Sequence, residues 1–84
     1  MKKQIYAWCQ CKDTTVYHLF EMKISSDDCY FSKPNSVCGE MSTKQIISYI
    51  STGATLDIII GATKDLNKPI CEKCLKLIEQ RKDN

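Results

Sequence analysis

No stretch of this chain approaches the roughly 20 apolar residues that a membrane-spanning helix needs. The longest aliphatic cluster, Ile58-Ile59-Ile60, is only strand-sized. Lys2 and Lys3 could open an export signal, but polar Gln10 and Lys12 end the short apolar run behind them. No membrane partner is expected, and the expected location is cytoplasmic. Glycine is scarce at 3 residues, and Gly53 and Gly61 stand alone, so no phosphate-cradling glycine loop exists. Repeats, low-complexity tracts and linkers are also missing, which leaves a single domain over 1–84. There is no strong excess of one charge. The 12 basic and 10 acidic side chains give a net charge of +2, too little to indicate nucleic acid by itself.

Against these absences stand 6 cysteines and 1 histidine in 84 residues. A chain this short buries only about two-thirds of its unfolded surface. Domains of this size often make up the shortfall with disulfides, a metal or a partner subunit. In a reducing cytoplasm, clustered cysteines are more often metal ligands than disulfides.

The pattern along the chain predicts a small α+β fold. Gln4–Trp8 reads as a strand, and Cys9–Thr14 as a turn with Lys12-Asp13-Thr14 at its tip. From Thr15 to Ile24 the alternation is strict. Val16, His18, Phe20, Met22 and Ile24 share one face, and the residues between them share the other. An N-terminal hairpin with His18 facing the core follows. Ser25–Pro34 reads as a loop with a short extended piece at Cys29-Tyr30-Phe31. Ser42 and Gln45 form a capping box, which predicts a central helix through Ile46, Ile47, Tyr49 and Ile50 to a cap at Gly53. Thr55–Ile60 then reads as a buried strand, and Thr63–Pro69 as a loop. Cys71, Cys74, Leu75 and Ile78 predict a C-terminal helix over Cys71–Arg81.

The strongest chemical signal is Cys71-Glu72-Lys73-Cys74, two thiols able to chelate one ion from the first turn of a helix. Cys38, followed by Gly39, is the best third ligand, because glycine lets backbone N–H groups approach the sulfur. A lone inward-facing histidine is usually a hydrogen-bonded core residue. Here the other three ligands lack a fourth, which assigns that place to His18. His18, Cys38, Cys71 and Cys74 would close a tetrahedral site suited to one structural Zn²⁺. The rival set is Cys9, Cys11, Cys71 and Cys74, with His18 in the core. Cys29 reads as a free, partly buried residue.

Tyr17-His18-Leu19, Val37-Cys38-Gly39-Glu40 and Ile70-Cys71-Glu72-Lys73-Cys74-Leu75 together resemble small zinc-binding proteins of bacteriophages and mobile elements. Those proteins follow a His … Cys-Gly … Cys-x-x-Cys-Leu pattern. The 32 residues between Cys38 and Cys71 are long for it. The resemblance implies a zinc site and a phage-type setting.

No catalytic constellation is legible, so the chain is not expected to be an enzyme. A thiol redox role for Cys71 and Cys74 is a lesser alternative, because oxidoreductases carry that motif after an early strand. The favoured expectation is an interaction protein that modulates or inhibits another macromolecule, most readily a host protein complex. Its expected partner surface is the outer face of the C-terminal helix at Lys73, Lys76, Gln80 and Arg81. A nucleic-acid-binding module using that helix with Trp8 or nearby tyrosines is the other alternative.

Overall fold

The computed structural model describes residues 3–50 and 54–82. It has the α+β architecture, with strands β1 (Lys3–Cys11), β2 (Tyr17–Ile24), β3 (Cys29–Phe31) and β4 (Ile46–Tyr49), and helices α1 (Leu56–Asp65) and α2 (Glu72–Lys82). The four strands pair antiparallel, in the order β3-β2-β1-β4. β1 and β2 form the expected hairpin. Asp13 at its tip adopts φ 66°, a left-handed conformation that a short polar side chain tolerates. Cys9 and Cys11 are not in the turn, because β1 continues through both.

Alternation in β2 predicted one inward face, yet both are covered. Leu19 joins Tyr6 and Trp8 against Ile59, Ile60, Cys74 and Ile78 of the helices. Phe20 joins Ala7, Cys9 and Cys11 on the other side, covered by Met22, Phe31, Met41 and Ile46. Glu21, expected on the solvent face, is buried with Leu19.

The central helix and the strand after it exchange places relative to the sequence reading. The capping box at Ser42 and Gln45 does form, but it starts only a 3₁₀ turn, Thr43–Gln45. The β-branched and aromatic run behind it extends as β4 and pairs with Cys9–Cys11 of β1. Gly53, the expected helix cap, lies outside the described residues. Ile58-Ile59-Ile60 belongs to α1, whose inner stripe is Leu56, Ile59, Ile60 and Thr63. Thr63 disguised that helical period, because its hydroxyl is buried for a specific reason. It accepts from Trp8 Nε1 at 3.0 Å and donates to the Ile59 carbonyl at 2.6 Å. Gly61 lies inside α1 with open space around it. α2 matches its predicted extent to within a residue, and Cys74 and Ile78 are fully buried.

Candidate metal centre

The outer edge of β2 builds the site. β1 covers one side of this strand, and β3 pairs only with Met22–Ile24 on the other. The backbone groups of the uncovered stretch need partners, since buried N–H and C=O groups are costly unpaired. Three separate segments supply them. Tyr17 N–H donates to the Pro69 carbonyl at 2.9 Å, and the Tyr17 carbonyl accepts from Cys71 N–H at 2.8 Å. The Leu19 carbonyl accepts from Val37 N–H at 2.8 Å, and the Glu21 carbonyl from Ser32 N–H at 3.1 Å. Leu19 N–H is left to a sulfur: it donates to Cys74 Sγ at 3.4 Å.

Docking these segments brings His18, Cys38, Cys71 and Cys74 together. One donor atom from each lies within 4.8 Å of all the others. Cys38 Sγ is 3.5 Å from His18 Nδ1 and 3.8 Å from Cys71 Sγ. A tetrahedral ion with metal–sulfur bonds of about 2.3 Å and metal–nitrogen bonds of about 2.0 Å spaces its ligands at roughly 3.8 Å for S···S and 3.5 Å for S···N. Both spacings already match. The set of three sulfurs and one imidazole nitrogen therefore fits a metal ion in composition as well as in size.

The surroundings favour a negative charge on Cys38. Burial opposes its ionisation, but hydrogen bonds from the Ser36 side chain, the Glu40 backbone, Cys74 and Cys71 together outweigh burial and hold the thiol below its ordinary range. Ser36 Oγ is 3.2 Å from the sulfur. Gly39 makes the Glu40 contact possible through its φ of 82°, which side-chain-bearing residues rarely adopt. The reason expected from the sequence was relief of crowding. A Cβ at Gly39 would meet nothing within 4 Å, so backbone conformation is the cause. Burial lowers the pKa of His18, against an opposing pull from Glu40, and so favours the neutral imidazole that a metal requires. Burial, with a smaller push from Cys38, drives the Cys74 thiol well up, so a cation must offset that cost before Cys74 can bind as thiolate.

Sequence reasoning missed Ser36 and Glu40, two residues either side of Cys38. Glu40 Oε1 takes an ion pair from Lys73 Nζ at 2.8 Å, and its other oxygen lies 3.9 Å from Cys38 Sγ. The run Ser36-x-Cys38-Gly39-Glu40 carried that signal. The rival pair is placed elsewhere. Cys9 and Cys11 sit in the apolar cluster behind the sheet and hydrogen-bond the Ala7 and Cys9 carbonyls at 3.8 and 3.9 Å. Burial pushes Cys9 up to about 12, aided by Cys11. Burial, and after it Cys38, raises the Cys11 thiol, and Cys11 lies outside the four-residue cluster. Cys29, expected to be partly buried, is exposed on β3.

The proposed partner face divides. Lys76 and Gln80 are exposed as expected. Lys73 is exposed but paired with Glu40. Arg81 turns inward, where it donates to Glu21 Oε1 and, at 3.3 Å, to the Tyr6 hydroxyl. Trp8 is 1% exposed and so is not available to stack on a nucleic-acid base. Among the described residues no helix is long and apolar enough to cross a membrane. Comparison with protein families, curated proteins and solved structures finds no match to this chain.

Proposed function

We propose that this protein is a zinc-stabilised interaction protein, in which one structural Zn²⁺ at His18, Cys38, Cys71 and Cys74 holds the scaffold that a macromolecular partner recognises. The observation that carries this reading is the convergence of four soft donors, from three segments far apart in sequence, at metal-ligand spacing. Three thiolates and one imidazole fill a tetrahedral ion, which suits a structural role, because catalytic zinc keeps a position for water or substrate. Cys71 and Cys74 then act as ligands and not as a redox pair.

The partner is a protein, bound through the outer side of α2 at Lys76 and Gln80, with Leu77 beside them 38% exposed. The resemblance to bacteriophage and mobile-element zinc proteins makes a host complex the partner to seek, and modulation or inhibition the outcome. A helix held at its start loses little freedom on recognition, which lowers the ordering cost of binding.

Intact mass under native and denaturing conditions tests the metal: one zinc lost on denaturation is expected. Pull-down with Lys76→Glu and Gln80→Ala tests the surface. Lost capture of a protein complex with unchanged melting is expected. A salt-dependent shift of DNA, abolished by the same variants, would replace the protein partner with nucleic acid.

A further inference from the structure

A depression of about 450 Å³ opens on the sheet beyond the metal centre, lined by Tyr6, Glu21, Lys23, Ser32, Lys33 and Arg81. Glu21 lies at its base with a side chain only 5% exposed. Each carboxylate oxygen already has a cation. Arg81 binds Oε1, and Lys33 Nζ is 3.6 Å from Oε2. Lys23 has no carboxylate within ion-pair distance among the described residues. Three cations against one carboxylate leave two unmatched positive charges facing one opening.

Neutral donors are also available there. The Tyr6 hydroxyl accepts from Gln4 Nε2 at 3.2 Å and from Arg81 Nη1 at 3.3 Å, so its own hydrogen is free to donate. Among the described residues the buried Ser32 hydroxyl has no partner, so it could rotate toward a ligand without breaking a bond. Charge-assisted bonds from ammonium and guanidinium groups are the strong ones for oxyanions. Glu21 holds Arg81 and Lys33 in place before any ligand arrives, which lowers the ordering cost.

From this geometry we infer that the depression is a binding site for a phosphate dianion, free or as the monoester of a small molecule. Two surplus positive charges match a dianion. The volume exceeds that of inorganic phosphate and leaves room for an ester body. Nothing in this inference rests on the metal.

The test is a titration of the zinc-loaded, full-length protein with inorganic phosphate, and separately with glycerol 3-phosphate, followed by amide NMR at constant ionic strength. Saturable shifts are expected at Glu21, Lys23, Ser32 and Lys33, with a midpoint in the low millimolar range or tighter, and with sodium chloride ineffective. Equal midpoints for the two ligands assign free phosphate, and a several-fold tighter ester assigns a monoester. Arg81→Ala risks unfolding, so Lys23→Ala/Lys33→Ala serves as the variant. It should weaken binding at least tenfold with melting and zinc content unchanged. Unsaturable shifts scattered over the surface lysines would overturn the site. So would a midpoint unchanged by the double substitution, or equally weakened by Lys68→Ala/Lys76→Ala.

Discussion

Cys71 and Cys74 attach the start of α2 to the sheet, and Arg81 attaches its end. Both attachments meet the outer edge of β2, the first at His18 and Leu19 and the second at Glu21. The Arg81–Glu21 pair is self-sufficient: a cation and a carboxylate satisfy each other, with the Tyr6 hydroxyl as a further acceptor. The cysteine end is not. Burial drives the Cys74 thiol up, and three sulfurs meeting in one place repel one another once ionised. On the proposed zinc reading the cysteine end is completed by an ion, while the arginine end already contains its own counter-charge. On that reading the two ends of one helix are fixed by opposite means, and only one of them ties the fold to something outside the chain.

The sharpest way to break this contrast is to remove the ion. Strong chelation, or Cys74→Ser, should abolish near-UV circular dichroism and the cooperative melt. Structural zinc supplies on the order of 10 kcal/mol, comparable with the whole stability of a domain this size. A metal-free protein that melts unchanged would show that the two ends are alike. At the other end, Arg81→Met should cost about 1–3 kcal/mol in urea denaturation while zinc content stays the same. This lies below the roughly 3–5 kcal/mol for breaking a fully buried pair, because Arg81 is 37% exposed and Lys33 stays beside Glu21.

Cys9→Ala should cost about 1 kcal/mol through lost packing and leave the metal bound. If Cys9→Ala and Cys11→Ala strip the metal while His18→Ala retains it, the ligands are Cys9, Cys11, Cys71 and Cys74. The smallest effect belongs to Lys73→Ala. Its pair with Glu40 lies in solvent, so thermal melting and zinc stoichiometry should both stay where they are.

The two cysteine pairs show how far the ligands could be read from sequence. Cys71-x-x-Cys74 was legible because i, i+3 on a helix start brings two side chains onto one side within reach of one ion. Cys9-x-Cys11 offered the same atoms, but strand residues two apart are about 7 Å apart along the chain, and their thiols bond to nearby carbonyls. His18 and Cys38 were reached by counting a tetrahedron's missing ligands. The supporting Ser36 and Glu40 gave no such count. The inward turn of Arg81 was also illegible, because it depends on Glu21 being buried by helices that the strand's alternation does not reveal.

The sequence by itself determined the elements whose period is unambiguous: the hairpin from its strict alternation and α2 from its apolar stripe. It also narrowed the candidate donors, since a single histidine and a Cys-x-x-Cys pair leave few ways to complete a tetrahedral set. Tertiary structure alone decided the middle of the chain. A capping box and a β-branched run were both compatible with either local state. Pairing with β1 made Ile46–Tyr49 a strand, and packing of Ile59, Ile60 and Thr63 under Trp8 made Leu56–Asp65 a helix. The physical reason is that local propensity differs by only about 1 kcal/mol per residue between such states. Burial of a few large side chains outweighs it.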